Sequence, residues 1–315
     1  SATSSEKMRR PLSPTLARLA EEELNETPDR IQQDIIILRV WIRQQPHLRA
    51  RTEDDFLIAF LRRCRYSLEE TKRRIDRYFT YYNLFPEVMS NRSITQRLLE
   101  INRLGIHVIP KKPVSPQGAR VIISQFCKVD PKQSSPREAF KLLFMMLELL
   151  AQECDNATVA GLFWVVDARD VNMEQMLQYD PFLLKKSFMF VDQCLPLRFM
   201  EIHLVNMIPS GQTVFNFVTS FLPAKLPWKF VVHKKSEDLY KHLPPEAMTI
   251  EYGGNNGYQA EALDYWREKL QASKDYFEQD AQYGTNEKLR VGLANAWASG
   301  ELSGTSGSFR KLEVD

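Results

Sequence analysis

The run Gly161-Leu-Phe-Trp-Val-Val-Asp is apolar at every position between a glycine and an acid. A strand with no polar face has no side to show to water. It belongs in the middle of a sheet that is covered on both faces, which in practice means a parallel sheet with crossover helices. The neighbouring segments fit that frame. Strands are expected at 120–126, 199–206 and 229–233. Helices are expected at 136–152, 181–193 and 212–222, with a short helix at 236–242. Strand and helix in alternation predict βαβ units and an α/β class with a mainly parallel sheet.

The first third reads differently. Thr27-Pro28 marks a helix start. Ile31, Ile35, Leu38 and Ile42 then repeat at helical spacing until Pro46. Thr52, followed by three acids, predicts a second cap, and Ser67 with Glu70 a capping box. An all-helical N-terminal lobe over 27–85 is therefore expected, after a flexible or partly helical stretch, 1–26. The α/β lobe follows over 90–254. An amphipathic helix at 260–277 opens an extension over 255–297, and a Ser/Gly-rich tail, 298–315, ends the chain.

Composition removes several classes. The 42 basic and 40 acidic residues nearly balance, which argues against a dedicated nucleic-acid binder. No apolar run reaches the ~18 residues of a membrane span, and the polar N-terminus lacks the apolar block of a secretory signal. The four cysteines are scattered and read as free thiols. Neither cysteines nor histidines show a metal-ligand spacing, so no metal site and no cofactor are expected. There is no GxxxxGK[ST], GxGxxG or GxSxG motif. Asp167, at the end of the central strand, and Asp170, three residues later, are candidates for an acid pair. Their plainer role is to accept hydrogen bonds from loop groups.

What stands out is an excess of bulky apolar residues. The block from Phe144 to Leu150, the strand Leu162–Val166, the helix around Phe190 and the segment 212–222 all exceed a minimal core-facing stripe. Two readings stay open: a thick core, or a large apolar cavity under a lid helix. Two basic groups also stand out. Arg62 to Arg77 crowd two helices, where Glu69, Glu70 and Asp76 offer partners on a solvated face. Arg198, Lys225 and Lys229 flank Trp228, a pattern suited to an anionic membrane surface.

The run from Asp54 to Thr71, the central strand, Leu195-Pro-Leu-Arg, Ile202-His-Leu-Val-Asn, Leu243-Pro and Glu251-Tyr-Gly-Gly together resemble the CRAL-TRIO lipid-transfer family, in its branch of tocopherol and retinaldehyde carriers. Glu278 to Gly284 and the ending Gly307 to Asp315 resemble insect members. The resemblance implies a helical N-terminal lobe and a CRAL-TRIO lobe with an apolar cavity and a helical gate at 212–222. It further implies a cytoplasmic, non-enzymatic carrier, transiently peripheral to membranes, of a tocopherol, retinoid, carotenoid or similar lipid. Phe144, Leu162, Trp164, Val166, Tyr179, Phe190, Val191, Leu195, Leu197, Phe199, Ile202, Val214, Phe215 and Val218 are the implied pocket positions. Glu148, Tyr179 and Ser187 are the candidate polar groups within it. Arg198, Lys225 and Lys229, with Trp228, are the implied phosphoinositide or membrane contacts. Met200 and Thr219 stand where the tocopherol-carrier branch has further bases. The alternative class is a lipid-sensing module that docks a protein partner through Arg62 to Arg77.

Overall fold

The computed structural model describes residues 10–115, 118–209, 211–220 and 228–291, except the side chains of Val214, Phe217 and Val218. Lys225 and the expected tail lie outside these residues.

The chain begins with helices α1 (Pro14–Leu24) and α2 (Pro28–Gln44), then a short strand β1 (Leu48–Arg49). Helices α3 (Asp54–Arg63), α4 (Leu68–Leu84), α5 (Pro86–Met89) and α6 (Gln96–Arg103) follow. The second part starts with β2 (His107–Val108) and β3 (Arg120–Gln125), then α7 (Pro136–Glu153) and α8 (Asp155–Ala160). Strand β4 (Leu162–Asp167) leads to α9 (Met173–Leu177) and α10 (Pro181–Gln193), then β5 (Phe199–Val205), α11 (Gly211–Ser220) and β6 (Lys229–Val232). The chain returns through α12 (Gln259–Ala272), α13 (Lys274–Glu278) and β7 (Gly284–Thr285).

Strands β2 to β6 form one sheet in sequence order. The β2–β3 pair is antiparallel and the others are parallel. The apolar β4 sits in the middle, as its composition requires. A register shift at Leu162/Phe163 leaves Met200 as an extra residue in β5, so Phe199 pairs with Leu162 and Glu201 with Phe163. This keeps Phe199 and Ile202 on the same face as Leu162 and Trp164. Gly161 precedes β4 with φ +92°, and a Cβ there would lie 2.9 Å from the Arg198 carbonyl oxygen. Only glycine fits that approach.

Local signals were met unevenly. Thr27 accepts from the Arg30 amide, and Ser135 with Glu138 closes a capping box at α7. The two other expected caps do not form. Glu53, not Thr52, occupies the cap position of α3, without a side-chain cap bond, and Ser67 makes none at α4. Glu70 instead faces Arg73 and Arg77. The single helix expected at 260–277 breaks at Ser273, and 236–241 is 3-10 rather than α.

Helix α7 is buried from Leu142 to Ala151 and joins the two parts of the molecule. Against it and α3–α4 lies a dense aromatic cluster: Phe56, Phe60, Tyr78, Phe79, Phe144 and Phe190, each at most 2% exposed. The Phe144 and Phe190 ring centroids are 4.6 Å apart. The C-terminal return is locked to this core by buried charge. Arg92 binds Glu148 at 2.6 Å and Asp280 at 2.8 Å, and Arg51 lies 3.5 Å over the Tyr276 ring. Arg62 and Arg74, expected on a solvated face, are buried: Arg62 binds Glu26 and Asp155, and Arg74 donates to the carbonyls of Leu195 and Asp192.

Candidate functional site

One face of the sheet is hollow. A cavity of about 220 Å³ lies between the sheet and the layer formed by α9, α10 and α11. Side chains alternate along a strand, so Trp164 and Val166 of β4, Ile202 and Leu204 of β5 and Phe230 of β6 form its floor. Phe126 and Phe140 close one side, and Met176, Tyr179, Leu184 and Phe188 another. Phe215 and Thr219 of α11 form the roof. Nothing in α11 carries a charge.

The wall holds few polar groups, and most are satisfied. The Trp164 indole N–H donates to Ser124 Oγ at 2.8 Å. Ser124 also meets His107 Nδ1 at 2.8 Å, and His107 Nε2 donates to the Ala139 carbonyl at 2.9 Å. Because that carbonyl can only accept, the Nε2 carries the proton and Ser124 donates to Nδ1. The chain of bonds fixes the plane of the Trp164 ring. Burial pushes the His107 pKa down to about 4, so the ring stays neutral at pH 7. Thr219 Oγ1 donates to the Asn216 carbonyl. The Tyr179 hydroxyl has no partner among the described residues, and burial pushes its pKa up. It is an unpartnered, buried hydroxyl on a residue of the cavity wall.

Five of the positions expected at a pocket line this cavity: Trp164, Val166, Tyr179, Ile202 and Phe215. Others lie elsewhere. Phe144, Phe190, Leu162 and Leu195 are buried in the hydrophobic core and do not line this cavity. Glu148 is committed to Arg92 and to the Tyr276 hydroxyl, and Ser187 donates to the Leu183 carbonyl. Neither offers a free group to the cavity. Val191, Leu197 and Phe199 belong to a different hollow, described next. The side chains of Val214 and Val218 are outside the described residues. Sequence reasoning did not single out Phe126, Phe140, Phe188 or Phe230 as wall residues. The alternation of Trp164 and Val166, extended across the sheet register, points to Phe230, which pairs with Ile202.

The second hollow, about 500 Å³, opens where α3 meets the start of β5. Its apolar side is Leu24, Val191, Leu197, Phe199, Met200 and Trp228; its charged side is Arg62, Arg63, Arg65 and Arg198. Arg63 donates to the Leu197 carbonyl at 3.2 Å and makes no ion pair among the described residues. Burial first, then the charges of Arg74 and Arg198, pushes its pKa down to about 10. A guanidinium under that strain is stabilised by any added anion. Arg198 has one distant carboxylate, Glu23, at 3.8 Å, and burial lowers its pKa too. Trp228, expected as a surface anchor, is 6% exposed and meets Phe199 edge to face, because it fills the wall of this hollow. Lys229 is exposed on β6, beside Glu201 in the register. Arg63 and Arg65 were weighed in sequence only as part of a helix face. Their proximity to Arg198, 133 residues on from Arg65, is a tertiary fact.

Asp167, the candidate acid, is a clamp. Its Oδ1 accepts from the Arg169 amide and the Asn206 side chain, and its Oδ2 from the Tyr252 hydroxyl at 2.6 Å. It joins β4, β5 and the turn after Ile250. Asp170 is in a left-handed turn. Among the described residues no helix is long and apolar enough to cross a membrane.

Comparison with known proteins agrees with this architecture. Residues 104–254 match the model of the CRAL/TRIO domain, and residues 27–99 match a Pinta-like UBA domain. An alpha-tocopherol transfer protein-like protein of Homo sapiens is 27% identical over 269 residues, which is 84% of this chain and 77% of that protein. Clavesin-1 of Rattus norvegicus is 25% identical over 247 residues, 77% of this chain and 69% of its own length. Among solved structures, Sfh5 aligns at 11% identity with a TM-score of 0.46, over 81% of this chain and 92% of that one. With its mainly parallel sheet and this match over residues 104–254, the chain contains a CRAL/TRIO domain, preceded by a helical N-terminal region.

Proposed function

We propose that this protein binds a small hydrophobic lipid in the cavity beneath α11 and carries it between membranes without chemical change. The observation that carries the reading is the cavity itself: an aromatic and aliphatic wall with one unpartnered hydroxyl, Tyr179. Burial of ~500 Å² of lipid surface is worth roughly 12 kcal/mol against water, at ~25 cal/mol/Å². A bilayer offers nearly the same, so the transfer is close to neutral in that term. Selection then rests on shape and on Tyr179. A guest with a ring near Trp164 and Phe188 and a hydroxyl or carbonyl toward Tyr179 suits this wall. The volume of about 220 Å³ is below the usual pocket range of ~300–1,000 Å³. A long isoprenoid chain therefore needs the roof to move, and α11 has no charge to hold it down.

The 500 Å³ hollow supplies the trigger in this reading. Phosphoinositide phosphates would pair with Arg63 and Arg198, with the exposed Lys229 as a further contact at the membrane and Lys225, outside the described residues, as another. Such binding favours an open roof only by preferring it over the closed state. The alternative of a protein-docking module loses much of its basic face, because Arg62 and Arg74 are buried and engaged.

Native mass spectrometry with organic extraction of the purified chain tests the carrier reading; it should return one lipid per chain. Transfer from vesicles containing phosphatidylinositol 4,5-bisphosphate should outpace transfer from phosphatidylcholine vesicles. R63A and R198A should each remove most of that difference while leaving lipid affinity unchanged. A chain that neither carries nor takes up lipid would end the proposal, and equal rates for R63A and parent would end its phosphoinositide part.

A further inference from the structure

The face of the sheet opposite the cavity carries a side-chain cluster that the carrier reading does not use. Glu201 and His203 point to this face from β5, His233 follows β6 directly, and His242 follows the 3-10 turn at 236–241. The three imidazoles form a tight group, with ring centroids 5.1 to 5.2 Å apart. Glu201 Oε2 lies 2.9 Å from His203 Nε2 and 3.8 Å from His242 Nδ1. These three atoms all fall within 4.8 Å of one another.

We propose that Glu201, His203 and His242 bind a divalent transition-metal ion of the zinc class, with His233 orienting His203 from behind. Three observations support this beyond the grouping of ligands. First, His203 is completely buried, yet its Nε2 has no hydrogen-bond partner among the described residues. The Glu201 carboxylate oxygen at 2.9 Å is a close polar neighbour of this nitrogen, although the two do not form a hydrogen bond of regular geometry. A buried ring nitrogen with no partner costs free energy, and an ion seated between it and the carboxylate removes that cost. Second, the other nitrogen, His203 Nδ1, lies 2.9 Å from His233 Nε2. A metal-bound imidazole characteristically uses its second nitrogen as a donor, which fixes the ring and raises its basicity. With Nδ1–H donating to His233, the Nε2 lone pair faces the ion.

Third, the spacing suits a small ion. Metal–ligand bonds of ~2.0–2.1 Å in a tetrahedral site put ligand atoms about 3.4 Å apart. The two separations at Glu201 bracket that value. Two imidazoles and one carboxylate match zinc, nickel or cobalt better than calcium or magnesium, which prefer oxygen alone. Glu201 and His242 are partly exposed, with side chains 26% and 31% accessible, so the ion has an entry path and water can take a fourth position. Such a site would tie the turn holding His242 to β5.

The test uses the tag-free full chain, stripped with a chelator, and zinc chloride as the probe. Calorimetry should find one equivalent bound at micromolar affinity or tighter. Cobalt(II) should give the visible absorption of a four-coordinate site, and bound zinc should raise Tm. H242A and E201Q alter partly exposed side chains and should each weaken zinc binding at least tenfold while leaving the metal-free Tm close to the parent value. Absence of stoichiometric binding would overturn the proposal, and the cluster would then be a metal-free hydrogen-bond relay. Binding of equal strength in H242A and E201Q would overturn it equally, by placing the ion elsewhere, for example on the thiols of Cys127 or Cys154.

Discussion

The helical half of the molecule and the cavity face of the sheet use the same kinds of residue to opposite ends. Phe56, Phe60, Tyr78, Phe79, Phe144 and Phe190 are buried against one another between α3, α4, α7 and α10, with ring centroids 4.6 to 5.9 Å apart in the pairs that touch. Phe126, Phe140, Trp164, Phe188 and Phe230 line a cavity. Side-chain size does not separate the two sets. What differs is how the opposing layer is held. In the helical half, Arg92 joins Glu148 to Asp280 and Arg62 joins Glu26 to Asp155, so the helices are fastened by buried charge as well as by packing. Over the cavity, α11 has no charged residue to fasten it. A solid core and a chamber can thus be written in one alphabet, with the choice made by the fastening of the layer.

The sharpest way to break this comparison is to undo a fastening. Arg92→Ala removes the cation shared by two buried carboxylates, leaving Glu148 with only the Tyr276 hydroxyl and Asp280 with the Tyr82 hydroxyl and the more distant Arg51, and removal of one member of such a group costs about 3–5 kcal/mol. Urea denaturation should show that loss, with lipid selectivity unchanged in whatever fraction stays folded. A change in selectivity without a stability loss would return Glu148 to the pocket wall.

A truncation pair compares the two regions directly. Phe144→Ala in the solid cluster should cost about 3–5 kcal/mol, because it opens a void among fixed neighbours. Phe188→Ala enlarges a void that already exists and should cost about half as much. It should also admit a bulkier guest. Equal costs would mean that the two regions are packed alike.

Acid should reach the cavity wall through His107. The unfolded chain takes up that proton near pH 6.5 and the folded chain only near pH 4. Between those values the folded state binds fewer protons, so its stability is complete above pH 6.5 and falls as the pH drops toward 4. The full contribution is on the order of 3 kcal/mol. Chemical denaturation at pH 7 and 4.5 should show a smaller drop for H107Q than for the parent, whose other histidines serve as the common background. An unchanged drop would mean that His107 accepts its proton in the folded state at an ordinary pH.

The smallest expected effect is at Tyr179. Its hydroxyl has no partner to lose, so Tyr179→Phe should change stability by less than ~0.5 kcal/mol. Affinity for a hydroxyl-bearing lipid should fall about fivefold to tenfold, the worth of one neutral hydrogen bond, while a pure hydrocarbon analogue should bind as before. Equal loss for both guests would exclude the hydroxyl as the selecting group.

Much of the fold could be read in advance because it is written in local periodicity. The apolar β4, the alternation of strand and helix and the Thr27-Pro28 start are properties of neighbouring residues. The cavity wall was readable only in part. Trp164, Val166, Tyr179, Ile202 and Phe215 could be named only because the resemblance to the lipid-transfer family implied them as pocket positions. Phe144, Glu148 and Phe190 could not be separated from true wall residues, since apolar density is the same in a core and around a chamber. Arg62 and Arg74 look like surface residues in a charged run, and only the positions of Glu26, Asp155 and Leu195 show that they are interior.

By itself, the sequence determined the class of the molecule: helices first, then a buried parallel sheet, with too much apolar bulk for a thin core. The tertiary structure alone decided where that bulk is solid and where it is hollow. It also decided that Arg63, without an ion pair among the described residues, lines one hollow with Arg198, and that His203, His233 and His242 share one face with Glu201. These outcomes depend on pairs far apart in the chain, and the energy of a contact is fixed by distance in space, for which spacing in sequence holds no record.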